Sequence, residues 1–337
     1  MNTFTATCQQ TFLKYSLLLL LFIPLWMQAN GQDYALKNYK LSTYFVNDYH
    51  VSPNGQYMVF NTIAYKDGQL ESAFYLKDLY RGAKKSLGQK DAFIHGWIDN
   101  KHIAFGDGSD EYTVQNIHTL EIKKIPTSFS MYNELLFINE EQTITCDIGM
   151  NETTYFFYKN NQLEKELKHS RFLDLNAFDV TTKSILELTP HVKNDFSKLD
   201  IYQFDYSANT RNKIGTIPST GNSVIQEISL KGEMIYYLEQ VQTYSKLEEH
   251  LWDKVKVKLC SYNTTSQQHT ILHTFKQGVE CLNLEIIGKE KFLVLLKDHK
   301  NDNEEVIDEP VNDSGMHLGF DFGPQLMLLE KTTPQEK

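Results

Sequence analysis

The sequence predicts an all-β protein, a six-bladed β-propeller closed by its own N-terminal strand. Three observations predict it. Tyr and Phe together number 39, against 17 Gly and 8 Pro, and aromatic side chains favour the pleated surface of a strand. Short apolar-alternating runs follow one another between turn residues, with few helix-period segments. Finally, one hairpin-like signature returns along the chain at intervals of about 40 to 60 residues, the spacing of propeller blades.

The signature is an apolar strand, a polar turn and a short strand ending in Leu or Ile. It runs from Tyr75-Leu76-Lys77-Asp78-Leu79 through Gly82 to Leu87. It returns from Val114 to Ile125, from Phe157 to Leu167, from Gln203 to Ile214 and from Ser261 to Leu272, and begins again at Leu328-Leu329-Glu330. A second repeat precedes it: His50-Val51-Ser52-Pro53-Asn54-Gly55 before Met58-Val59-Phe60, His95-Gly96-Trp97-Ile98-Asp99-Asn100 before Ile103-Ala104-Phe105, and a weaker copy from Leu135. Each reads as an inner strand, a tight turn and a second strand. The sixth unit lacks an outer strand, and the segment from Tyr34 to Leu41 has no unit of its own. Pairing the two removes a pair of exposed sheet edges. Six blades follow, or seven if the long fifth or sixth unit holds one more. Ser245 to Lys256 has helix-like spacing of Leu247, Leu251 and Val255, and Lys297 to Gly315 reads as a long acidic loop.

Residues 1–31 read as a signal peptide, with 32–337 as a single propeller domain. Lys14 is the one charge before the apolar run from Leu17 to Trp26, which is shorter than the roughly 20 residues a membrane span needs. Ala29 and Gly31 offer small residues for cleavage before Gln32. The expected location is periplasmic or extracellular, with no membrane span after cleavage. The formal charge of −10, less the +1 of Lys14, leaves −11 on the remainder. That balance opposes nucleic-acid binding, which draws its affinity from cations on phosphates. Three cysteines remain beyond the signal; Cys260 and Cys281 either pair or stay as buried thiols.

The segment Val51-Ser52-Pro53-Asn54-Gly55-Gln56-Tyr57-Met58-Val59-Phe60 resembles the S-P-D-G-K repeat of TolB-like propellers, also present in the propeller domains of prolyl-oligopeptidase-type peptidases. Tyr75 to Leu87 resembles the strand and turn that usually follow. The match is clear in the first unit and is an outline thereafter. It marks a blade turn, where Pro fixes φ and Asn-Gly supplies the turn conformation, and carries no activity. In the peptidase relatives catalysis sits in a separate hydrolase domain, which needs a G-x-S-x-G elbow. None is present: Gly106-Asp107-Gly108-Ser109-Asp110 fails at its last position.

His50 and His95 fall at matching places on the first two inner strands and are the candidate channel ligands for a divalent metal, since imidazole suits transition metals. The positions expected to follow them are Leu135, Ala177, Gln226 and Leu284. A hydrogen-bonded channel lining is the simpler account of the two histidines. No catalytic residue and no cofactor is assigned. Asp107 to Glu111 and the acids from Asp302 to Asp313 read as solvated loops. Asn151, Asn263 and Asn312 match the glycosylation pattern. The function expected is a binding or protein-interaction module holding a protein or small ligand on one propeller face. The alternatives are a metal-dependent lyase or lactonase acting on a sugar or small ester, and an accessory subunit of a cell-envelope complex.

Overall fold

The computed structural model describes residues 34–39, 45–66, 69–89, 92–109, 111–126, 134–148, 153–169, 178–179, 184–192, 195–205, 208, 210–219, 223–241, 255–288, 290–298 and 325–331. These form six four-stranded antiparallel sheets, the blades of a six-bladed propeller. The first blade comprises β2 (Phe45–Val51), β3 (Tyr57–Lys66), β4 (Gln69–Asp78) and β5 (Lys84–Ser86), numbered after β1 (Tyr34–Asn38). The second holds β6 (Phe93–Trp97), β7 (His102–Gly106), β8 (Glu111–Asn116) and β9 (Ile122–Pro126). The third holds β10 (Glu134–Phe137), β11 (Gln142–Ile148), β12 (Thr153–Lys159) and β13 (Gln162–His169). The fourth runs through β14 (Phe178–Asp179), β15 (Ser184–Val192), β16 (Asp195–Asp205) and β17 (Thr210–Pro218). The fifth runs through β18 (Ser223–Lys231), β19 (Met234–Val241), β20 (Lys256–Asn263) and β21 (His269–Thr274). The last contains β22 (Val279–Gly288), β23 (Lys291–Asp298) and β24 (Gln325–Lys331), and β1 completes it.

The predicted closure is therefore present. Tyr34 pairs with Lys331 and Asn38 with Met327 along the edge of β24. Lys37 and Glu330 form an ion pair across the join, and the Tyr39 amide donates to the Leu326 carbonyl at 2.9 Å. The recurring hairpin is the link between the third and fourth strands of the first five blades. Its turn is locked by a side chain at the end of the third strand. Asp78 accepts from the amides of Tyr80 and Arg81, Asn116 from His118 and Thr119, and Asn263 from Thr265 and Ser266. Such short polar side chains substitute for the missing backbone acceptor in a turn. Blade three uses a two-residue turn instead, with Asn160 and Asn161 both at positive φ (48° and 61°), the type that matches strand twist.

The core is divided among the blade junctions. Six buried apolar clusters fill the spaces between successive sheets. Strand pattern follows position. Middle strands are covered on both faces, as in β7 with Ile103, Ala104, Phe105 and Gly106 all buried. Outer strands such as β5, Lys-Lys-Ser, are exposed throughout. Cys146, Cys260 and Cys281 are all free and buried; of the two readings of Cys260 and Cys281, the unpaired one holds. Residues 1–31, nearly all of the stretch with helix-like spacing and the acidic segment beyond Asp298 lie outside the described residues. The end of the helix-like stretch, Lys256, opens β20.

Candidate functional site

The first strand of each blade lines the central channel, and four of these six strands depart from regular pairing. Register shifts interrupt β2 between Val46 and Asp48, β6 between Ile94 and Gly96, β18 between Gln226 and Ser229, and β22 between Cys281 and Asn283. A bulge re-aims the side chains beside it. His95 and Glu227 sit on such shifts, Glu227 with φ at 48°.

Asp48 and His50 alternate onto one face of β2. His50 Nε2 lies 3.4 Å from Asp48 Oδ2. The Tyr49 amide donates to Asp48 Oδ1 at 2.8 Å. Below them, the Tyr49 hydroxyl donates to the Leu293 carbonyl at 2.9 Å, and Asn283 Nδ2 donates to the Tyr49 carbonyl at 3.2 Å. These bonds pin β2 to the sixth blade. On the other side, Trp97 Nε1 donates to the His50 carbonyl at 3.0 Å and pins it to the second. The side chains of His50 and Asp48 keep 31% and 36% of their area exposed. Because β2 is the innermost strand of its blade, that area opens into the channel.

Glu285 enters from β22. The Val51 amide reaches its Oε1 at 3.5 Å, a long contact at the limit of hydrogen bonding. Burial pushes this carboxyl from 4.5 up to about 7, partly offset by His50 and the Val51 amide. Burial opposes ionisation of His50 as well, but Asp48, Glu285 and Glu227 outweigh it and raise its pKa. Burial likewise works against Asp48, yet its bond and charge contact with His50 hold it below its usual value. His95 goes the other way: burial and the charge of His50 lower it to about 4. At neutral pH the channel thus holds an ionised Asp48 and a neutral His95, beside a His50 raised from its usual value and a Glu285 raised to about 7. Titratable groups displaced from their ordinary values concentrate at functional sites, and this set can accept hydrogen bonds, attract cations and move protons.

The two predicted histidines stand one residue apart in register. Counted from the turn, Val51 pairs with Met58 and Trp97 with Ile103, so His50 corresponds to Gly96 and His95 falls on the bulge. The His95 ring lies over Gly106, where an added Cβ would stand 2.2 Å from Nε2, and edge-on to Phe93. That Nε2 is buried without a hydrogen-bond partner. Of the positions expected to follow, Leu135, Gln226 and Leu284 lie on inner strands, and Ala177 lies outside the described residues. Sequence reasoning missed Asp48, Glu285 and Glu227. One signal was available: Asp48 is two residues from His50 on one strand, whereas Glu285 shares its strand with Glu280 and Asn283 and does not stand out.

A different trio, Asp99, His102 and Glu140, brings ligand atoms within 4.8 Å of one another on adjacent blade turns; among the described residues it alone does so. The bonding around His102 disfavours a metal there. Asn116 Oδ1 is occupied by two backbone amides, so its Nδ2 is the group 3.1 Å from His102 Nε2. Nε2 must accept, and in the neutral ring the proton then sits on Nδ1, where it meets Asp99 Oδ2 at 2.9 Å. Neither nitrogen is left for an ion. The trio locks the turn. Asn263 is similarly committed, capping its turn while its Nδ2 contacts Met234 Sδ; Asn151 and Asn312 lie outside the described residues.

No family model and no curated protein matches the chain. Several solved structures are similar to it. The β-propeller domain of the Trilobed protease from Pyrococcus furiosus has 13% identity and a TM-score of 0.44, over 76% of this chain and 91% of that one. TolB from Acinetobacter baumannii has 10% identity and a TM-score of 0.45, over 86% of this chain and 63% of that one. Oligogalacturonate lyase from Vibrio parahaemolyticus has 10% identity and a TM-score of 0.43, over 89% and 98%. TolB and peptidase propellers, which the first-blade motif resembles, are thus among them.

Proposed function

We propose that the protein is an exported binding module that holds its ligand at the central channel, on the inner strands of the first, second and sixth blades. Glu285 carries this reading. A carboxyl drawn into the interior by burial, with one 3.5 Å amide contact among the described residues, is poorly solvated, and a bound ligand would complete its coordination. The neighbouring pair Asp48 and His50 adds polar groups whose accessible area faces the same space. The segment 1–31, with its short apolar run and small-residue exit, supports work outside the cytoplasm.

The test is a panel of cationic, neutral and anionic small ligands titrated calorimetrically into the purified protein, alongside Glu285→Gln and His50→Phe. At least one class is expected to bind, and to lose tenfold or more in affinity in both variants. If no class binds, or if both variants bind as the parent does, the channel is not the site. N-terminal sequencing of the exported protein is expected to begin at Gln32; an intact Met1 would remove the export reading.

A further inference from the structure

The first and second blades meet on a face that is apolar except near the channel. Val59, Phe74 and Leu76 of the first blade pack there against Ile94, Trp97 and Phe105 of the second. His50 pairs directly with Val59 and Asp48 with Asn61. Residues opposite one another project to the same side of a sheet. The side chains of Asp48, His50 and Asn61 therefore stand together at this junction, at the edge of an apolar wall.

Asn61 is 6% exposed, and its Oδ1 has no hydrogen-bond partner. Proteins seldom leave a buried amide oxygen without a donor. Here the nearest polar neighbours across the register, Asp48 and His50, are already engaged with each other. The free capacity at the junction is thus acceptor capacity: the Asn61 oxygen, the remaining lone pairs of Asp48 and, from the channel, Glu285.

We propose that this junction recognises an alkylguanidinium or alkylammonium group, whose N–H donors bridge Asp48 and Asn61 while Glu285 and Glu227 supply negative charge from the channel. The proposal rests on the reading of the channel as the binding site and names the ligand chemistry. Asp48, Glu285 and Glu227 all act on His50 with negative charge, which disfavours an anion there. Neutral hydroxyls satisfy the acceptors but leave the charge uncompensated. A metal ion draws its ligand atoms closer than these lie: Asp48, His50 and Glu285 do not bring three such atoms within 4.8 Å, as Asp99, His102 and Glu140 do. The Cβ atoms of directly opposed residues are about 5 Å apart, a span that N–H donors reaching about 2.9 Å can bridge. The apolar wall is closed by its own packing, with Val59 and Phe74 fully buried, so the alkyl chain runs back along the channel.

Binding has a pH signature. The groups facing His50 are Asp48, Glu285, Glu227 and His95; those facing Glu285 are His50, Asp48 and Lys231. Acidification charges His50 and neutralises Glu285, so cation affinity falls as pH drops.

Calorimetric titration of agmatine and butylamine tests this, with glucose, sodium acetate and manganese chloride as the other arms. Agmatine or butylamine is expected to bind at pH 8, at least tenfold more weakly at pH 5.5, and tenfold more weakly to Asn61→Leu, whose melting temperature should hold or rise because an unpaired acceptor has gone. The His50 ring resonance should titrate at lower pH once agmatine neutralises Asp48. A blocked arginine peptide binding better than agmatine assigns the cation to a protein partner, and the reverse to a free amine; both support the site. Failure of both amines, equal binding by Asn61→Leu, an unmoved His50 midpoint, or displacement of agmatine by manganese overturns the proposal. Glucose or acetate binding that is lost in Glu285→Gln would overturn it while leaving the channel reading intact.

Discussion

Glu285 shows at the scale of one side chain how the ring interior alters chemistry. Its carboxyl is raised from 4.5 to about 7, first by burial. A carboxyl raised on folding contributes stability that is fully present below about 4.5, the unfolded value, and is lost as pH climbs through 7. Glu285→Gln is therefore expected to leave the melting temperature unchanged at pH 4 and to raise stability at pH 8.5. The gain should be about 1–2 kcal/mol once channel water is allowed for. Thermal unfolding at the two pH values checks it, and an equal effect at both would refute the assignment. His50 and His95 were legible as channel residues because each precedes a recognisable turn. Their relation was not, because six residues separate the paired Val51 and Met58 and only five separate Trp97 and Ile103, and a one-residue difference in turn length leaves no reliable mark in a single sequence. Asn61 was illegible for a different reason: one polar residue in a strand becomes informative only when its partners are known to be absent.

Among the sheets, blade four carries a buried charge pair. Arg211 on β17 reaches across to Glu187 on β15, with Nε–Oε2 at 2.7 Å and a second bond at 2.9 Å, while its guanidinium lies over the Tyr202 ring at 3.5 Å. Glu187 is 3% exposed. Arg211→Met takes the guanidinium from a buried carboxylate and should cost about 3 kcal/mol. Adding Glu187→Leu should recover most of that loss, because a matched apolar pair needs no compensation. Denaturant unfolding of the single and double variants measures both, and a double variant no better than the single one would contradict the account. Such ladders are hard to read from sequence, since Glu and Arg on strands usually mark solvated faces. The turns between third and fourth strands were easier, because Asp78, Asn116, Asp205 and Asn263 recur at matching places and each caps its own turn.

In the whole molecule the apolar core is divided into six junctions, so no single blade is buried without its neighbours. Blade six depends in addition on β1, which covers the edge of β24 and sends Tyr34 into the cluster shared with blade five. Deleting residues 34–39 is expected to bare that edge and cause association, measurable by light scattering, and a synthetic peptide of the same residues should suppress it. A deletion variant that stays monodisperse and melts as the parent does would show that the join is dispensable. The join was legible because the last unit lacked a strand and the first segment lacked a unit. It also sets an order of events. Lys37 and Glu330, which meet at the join, are 293 positions apart. A chain emerging N-terminus first, from a ribosome or through a translocation pore, presents β1 before the first five blades and its partner after them. The first segment must wait, unpaired, while five blades form behind it. Ring formation is then a single late event, timed by delivery of the final strand.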